Sequence, residues 1–161
     1  MITWVDRELV LAIHERQLAE HGGASGIRDS GLLDSALARP LQMLAYGNPE
    51  PDLADLATAL AHGLARNHPF VDGKKRTAYV ALRTFLVLNG TDLVALPEER
   101  YAAMLALAEG RLSASEFAIW VRANLRTSGV HEPTKPYLVR KRAPARKTPQ
   151  RKRKQSPKSA K

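Results

Sequence analysis

His68-Pro69-Phe70-Val71-Asp72-Gly73-Lys74-Lys75-Arg76-Thr77-Ala78 joins the two segments of this 161-residue chain that carry the strongest helical spacing. Upstream, Leu56, Leu60 and Leu64 recur at intervals of four behind Asp52, a residue suited to capping a helix start. That run ends near Asn67, because Pro69 disfavours helix at the residue before it. Downstream, a helix is expected from about Gly73 to Asn89, with Ala78, Leu82, Phe85 and Leu86 on its apolar face and Gly90 as its stop. His68 therefore stands just beyond a helix end, and the core is expected to assemble around this helix pair.

The rest of the chain also reads as helical. Thr3 or Asp6 caps a first helix in which Leu11, His14 and Leu18 share a face, and Gly22 and Gly23 stop it. A loop over Ala24 to Arg28 leads to Asp29 or Ser30, either of which caps a short helix through Leu32, Leu33, Ala36 and Leu37 that Pro40 ends. Pro40 to Asp52 gathers Pro40, Gly47, Asn48, Pro49 and Pro51 around Leu41, Met43, Leu44 and Tyr46, and reads as an extended flap or hairpin. It is the candidate mobile element, its apolar residues serving either the core or the docking of a target. Pro97 in a first turn, Glu98 and Glu99 near the positive helix end, and Tyr101, Leu105 and Ala108 mark a further helix that stops at Gly110. Ser113 with Glu116 is a capping box for a last helix through Phe117, Trp120, Val121 and Leu125. No internal repeat is evident.

Composition narrows the function classes. The chain has no cysteine, which excludes disulfides, thiolate zinc sites, a cysteine nucleophile and haem attachment, and agrees with a reducing cytoplasm. Asp6, Arg7 and Glu8 interrupt what would have to be an apolar signal region, and no apolar run approaches membrane-spanning length, so a soluble cytoplasmic protein is expected. The net charge of +9 suggests a nucleic-acid binder until it is located along the chain. From Thr127 onward there are 12 Lys and Arg against Glu132 alone, leaving residues 1–126 with 13 basic against 15 acidic residues. The basicity belongs to the tail. Residues 127–161 mix five prolines with clusters such as Arg151-Lys152-Arg153-Lys154 and offer little to bury, so they are expected to be disordered beside a folded body of residues 1–126.

The residues between the two strong helices form a set suited to phosphate chemistry. A histidine takes a proton from an attacking hydroxyl because its pKa lies near working pH. Asp72 offers a hard carboxylate for Mg²⁺, which needs only one or two protein ligands when phosphates and waters complete its shell. Gly73 permits close backbone approach, the amides opening the next helix point at an anion, and Lys74, Lys75 and Arg76 add cations there. Phe70 is expected to plug the loop into the core and fix His68. The bland alternative is a capped loop with a solvated charge cluster.

This stretch resembles the Fic/Doc signature, H-x-F-x-[DE]-[GA]-N-[GK]-R, and most closely its Doc branch, the death-on-curing toxins. The upstream segment Gly26-Ile27-Arg28-Asp29-Ser30-Gly31-Leu32-Leu33-Asp34-Ser35-Ala36-Leu37-Ala38-Arg39-Pro40 resembles the same branch. The resemblance implies an all-α helical bundle with a small β-hairpin flap that docks the target. It implies that His68 is the general base, Phe70 the core anchor, Asp72 the Mg²⁺ ligand, Gly73 and the next amides an anion hole, and Arg76 a phosphate clamp. Most members transfer AMP to a protein hydroxyl. The Doc branch, with Lys where they carry Gly, acts as a kinase on elongation factor Tu and arrests translation. Lys75 occupies that position. The chain departs from the signature at Lys74, where the family carries Asn, and at Tyr79, where AMP-transferring members carry a second Arg; Arg83, one turn further, is the candidate to reach a γ-phosphate.

The expectation is a toxin of a toxin–antitoxin pair using ATP or another nucleoside triphosphate with Mg²⁺ on a translation factor. The alternatives are nucleotidyl transfer or a non-catalytic member that binds protein or nucleic acid. Self-inhibition in this family uses [ST]-x-x-x-E-[GN]; Glu109-Gly110 ends such a pattern but Leu105 stands at its start, so an antitoxin acting in trans is expected. His14 and His62 read as packed histidines rather than zinc ligands. The tail either contacts nucleic acid or ribosomes or is a solubilising extension.

Overall fold

The computed structural model describes residues 1–128, and the expectations for the tail lie outside the described residues. Six helices and two short strands follow one another: α1 (Arg7–His21), α2 (Ser30–Tyr46), α3 (Leu53–Arg66), α4 (Lys74–Leu88), β1 (Thr91–Leu93), α5 (Pro97–Glu109), α6 (Ala114–Ala123) and β2 (Leu125–Thr127). Each start has a local cause. Asp6, Asp29 and Asp52 cap α1, α2 and α3 through their carboxylates, and Ser113 with Glu116 forms the capping box of α6.

Helix α3 is the axis of the bundle. It is rich in alanine and buried nearly all round, so α2, α4, α5 and α6 all approach it. The tightest approach is at Gly63, where an added Cβ would lie 2.9 Å from Ala36 Cα and 3.0 Å from Ala36 Cβ. Gly63→Ala is therefore expected to destabilise the fold by about 1 kcal/mol net. Overpacking costs roughly 1–3 kcal/mol, and the better helix propensity of alanine returns about 1. Denaturant titration reads this; a stabilised variant would show that the two helices have room to part.

Three expectations are corrected. Pro40 does not end α2: it is buried inside a helix that continues to Tyr46 and is capped by Gly47, whose amide bonds the Met43 carbonyl at 2.8 Å. An internal proline costs about 3 kcal/mol, but Leu33, Ala36, Leu37, Pro40 and Leu44 form one uninterrupted stripe against the core, so packing outweighs the lost hydrogen bond. Residues 40–46 are thus helix, not flap or hairpin. The small sheet of this helical fold lies elsewhere, where β1 and β2 pair antiparallel with Thr91 opposite Thr127, Asp92 opposite Arg126 and Leu93 opposite Leu125. Leu125, expected in the last helix, is a strand residue because α6 stops at Asn124, whose amide bonds back to Val121.

Candidate active site

The loop between α3 and α4 is held by the segment just before α2. Arg28 and Asp29 amides donate to the Pro69 carbonyl at 2.8 and 3.2 Å, the Val71 amide donates to the Gly26 carbonyl, and Ile27 bridges Phe70. The two stretches that carry the Fic/Doc resemblance are therefore hydrogen-bonded to each other. Arg28 Nε also donates to the His68 carbonyl at 2.8 Å. His68 needs such bracing, because it is a non-glycine residue at φ 53°, in the left-handed region. Phe70 is 2% exposed and stacks on His14, ring centroids 3.9 Å apart. His14 Nε2–H in turn donates to the Asp72 carbonyl at 2.8 Å. His14 is packed, as expected, but its packing partner is the loop itself.

Asp72 and Gly73 turn the chain into α4. Gly73, at φ 74°, is the N-cap residue in a conformation that costs glycine nothing, and it leaves the first amides of α4 without a side-chain cap. The Asp72 carboxylate accepts from the Gly73 amide at 2.7 Å and from the Ala24 amide at 3.3 Å. These two bonds, then the charge of Arg76, hold its pKa below the usual carboxylate value. Gly23 makes the second contact possible: at φ 127°, its ideal Cβ would lie 2.6 Å from Asp72 Oδ2.

His68, Asp72 and Gly73 face one cavity of about 380 Å³, together with Phe70, Lys74 and Arg28. The Lys74 ammonium donates to His68 Nδ1 and lies 3.1 Å from Nε2. Desolvation of the ring, then the positive charges of Lys74, Arg28 and Arg66, hold the imidazole pKa below its ordinary value. The imidazole is thus neutral at neutral pH, beside an ionised carboxylate and a cradle of amides and cations.

Not every expected residue reaches this cavity. Lys75, Arg76 and Arg83 share another face of α4 with Tyr79 and line a second cavity, of about 390 Å³, against Arg100 and Tyr101 of α5. The Arg76 guanidinium donates to the Gln17 and Gly22 carbonyls at 3.4 and 3.0 Å, closing the end of α1. Arg83 makes a two-pronged pair with Asp92, both contacts 2.9 Å. In a helix, neighbours in sequence point about 100° apart, so a run of cations cannot all face one ligand. Two contributors were not expected in the site: Arg28, which the sequence places only within the upstream Doc-like stretch, and Gly23, read only as a helix stop; their partners His68 and Asp72 lie 40 or more residues away.

The profile of the Fic/DOC family matches residues 4–86, which run from before α1 into α4 and contain both paired stretches. A relative named Toxin Doc, from Mycolicibacterium smegmatis (strain ATCC 700084 / mc(2)155), is 49% identical over 96 residues, 59% of this chain and 71% of the relative. One named Protein kinase doc, from Escherichia phage P1, is 30% identical over 118 residues, 73% of this chain and 92% of the relative. The chain belongs to the Fic/Doc family. Its relatives carry Doc names, so this Fic/Doc chain stands with the Doc branch. Among the described residues of this Fic/Doc domain, no helix is long and apolar enough to cross a membrane and no cluster of three or more His, Asp or Glu side chains forms a protein-only metal cage.

Proposed function

We propose that this chain is the toxin of a toxin–antitoxin pair and acts in the cytoplasm as a kinase, moving the γ-phosphate of ATP to a hydroxyl of a translation factor, elongation factor Tu being the expected target. The carrying observation is the cavity that sets His68, Asp72, the opening amides of α4, Lys74 and Arg28 around one space. In the proposed step the hydroxyl oxygen bonds to the γ-phosphorus, the bond from that phosphorus to the bridging oxygen of ADP breaks, and the hydroxyl proton passes to the His68 imidazole. The Lys74 and Lys75 amides, which open α4 without a side-chain cap, with the Lys74 and Arg28 cations bind phosphate oxygens and offset their charge. Phosphates give the Lys74 ammonium a stronger partner than the imidazole, which leaves the ring nitrogen free to accept a proton. Arg76, tied to the end of α1, then acts by holding the site's rear wall, with Arg83 and Lys75 outside the first contacts.

Asp72 fits a Mg²⁺ ion: its carboxylate is exposed and ionised, and it is the one carboxylate lining this cavity, the arrangement suited to an ion whose remaining ligands are substrate phosphates and water. Bound there, Mg²⁺ would neutralise charge on the transferring phosphates. We place catalysis in residues 1–126 and regulation in an antitoxin acting in trans; contact of the tail with nucleic acid or ribosomes is a separate property. Strand β2 runs to Thr127, and the Ser128 amide bonds the Gly90 carbonyl at 2.8 Å, so a tail deletion must begin after Ser128.

Incubation with elongation factor Tu, Mg²⁺ and ATP labelled at the γ- or the α-phosphate tests the reading. Label on the protein from the γ position alone supports the kinase; label from the α position assigns AMP transfer instead; absence of label with any nucleoside triphosphate removes both. The pH profile is a second check. A protonated imidazole cannot accept a proton, so activity falls as pH drops through the His68 pKa, which lies below 6.5. The acid limb of kcat/KM is expected below pH 6.5, and a midpoint above that value would contradict a cation-flanked base.

A further inference from the structure

The turn from the catalytic loop into α4 depends on one peptide plane, the Asp72 carbonyl joined to the Gly73 amide. Local sterics do not fix that plane: Gly73 stands at φ 74° and, without a Cβ, tolerates many values of that angle. Its orientation comes instead from hydrogen bonds at its two ends, which point in opposite directions in a trans peptide. At the amide end, Gly73 N–H donates to the neighbouring carboxylate, Asp72 Oδ1, at 2.7 Å. At the carbonyl end the bond comes from 58 residues away, where His14 Nε2–H donates from the middle of α1 at 2.8 Å.

His14 is held firmly enough to act as a clamp. It is 3% exposed, and its ring lies only 9° from parallel with the buried Phe70 ring. A Cβ added to Gly73 would lie 3.3 Å from Leu18 Cδ2 and 3.7 Å from His14 Nε2, so the turn rests directly on this face of α1. The other buried residues of α1, Val10 and Ile13, are apolar. A buried imidazole in their company gives up water that only a fixed hydrogen-bond partner replaces, and the partner here is the residue whose carboxylate faces the His68 cavity. Docking of α1 does not depend on this bond, because Arg76 ties α4 to the Gln17 and Gly22 carbonyls separately.

We infer that His14 is a positioning residue: by clamping the Asp72–Gly73 peptide it aims the Asp72 carboxylate and sets the affinity of the site for a divalent cation. The inference rests on the part of the proposed function that makes Asp72 the ligand of that cation. His14 itself touches neither nucleotide nor reacting atoms. Without its donor the plane turns, and the carboxylate bonded to the amide of that plane turns with it.

Metal binding, rather than transfer, is the test. Mn²⁺, a paramagnetic stand-in for Mg²⁺, is titrated into the full chain with a non-hydrolysable ATP analogue. Occupancy is read from broadening of the Ala24 and Gly73 amide resonances, since both amides bond the Asp72 carboxylate. His14→Phe keeps a buried ring and His14→Leu a smaller apolar group, and both remove the donor. Each is expected to raise the Mn²⁺ concentration for half-saturation by about tenfold, as loss of an outer contact to a metal ligand does. His14→Gln carries an amide nitrogen at the same bond separation from Cβ as the imidazole Nε2, and is expected to bring the midpoint back to within about threefold of the wild type. Donorless variants with the wild-type midpoint would make His14 a packing residue and overturn the inference. So would His14→Gln as weak as His14→Phe, which would assign the effect to the ring, and so would wild-type broadening centred away from Ala24 and Gly73. The expected midpoints without any label on elongation factor Tu would support the inference and count against the kinase reading alone.

Discussion

His68→Ala is expected to lower the transfer rate by about 100- to 10,000-fold, the usual contribution of a positioned general base, while leaving the melting temperature nearly unchanged. Stability is spared because the side chain is exposed and its hydrogen-bond partner is the Lys74 ammonium rather than a core group. The backbone at φ 53° is the one concern, since alanine gains nothing there. His68→Asn answers it: asparagine tolerates the left-handed region and offers no base. Both variants should be inactive and folded. Transfer within tenfold of the wild type in the two of them would remove His68 from the chemistry and return the loop to a capped turn with a charge cluster.

Phe70→Ala carries the second large effect, on stability and activity together. The ring is 2% exposed, packs in the main core and stacks on His14, so its loss should cost about 3–5 kcal/mol and lower the melting temperature by roughly 10–20 °C. Function should fail before the fold does. His14 holds the Asp72 carbonyl while it leans on Phe70, so a cavity beneath the ring loosens the segment that carries the carboxylate. At temperatures where the variant remains folded by circular dichroism, transfer should already be lower. Phe70→Leu, which fills more of the space, should fall between the two. A variant that loses stability but keeps full transfer when folded would show that the loop needs no core anchor.

The legible part of this molecule is the part where local chemistry and packing agree. Leu56, Leu60 and Leu64 behind Asp52, Pro69 after the helix end, and Gly73 at the next start each act over a few residues, so α3, α4 and the loop between them could be read directly. Pro40 set two local signals against each other, and the apolar stripe from Leu33 to Leu44 prevailed because burial along a whole helix face exceeds one missing hydrogen bond. The strands were invisible for a different reason: three residues are too few for an alternating pattern, and Leu125 continues the spacing of α6 until Asn124 turns the chain. In the site, neighbours in sequence were read as neighbours in space. That holds through the loop and fails in the helix, where Lys74 turns toward His68 while Arg76 and Arg83 turn toward α1 and Asp92. Arg28 and His14 enter only through contacts of 40 and 58 residues' separation.

That the cavity of His68 and Asp72 receives a triphosphate is tested most directly by a crystal structure of the full chain with Mg²⁺ and a non-hydrolysable ATP analogue. The phosphates are expected against the Lys74 and Lys75 amides, with Lys74 drawn off the imidazole, Arg28 on a phosphate oxygen and the metal on Asp72. An analogue seated instead between α4 and α5, beside Tyr79 and Arg100 with the Lys74–His68 contact intact, would contradict the account.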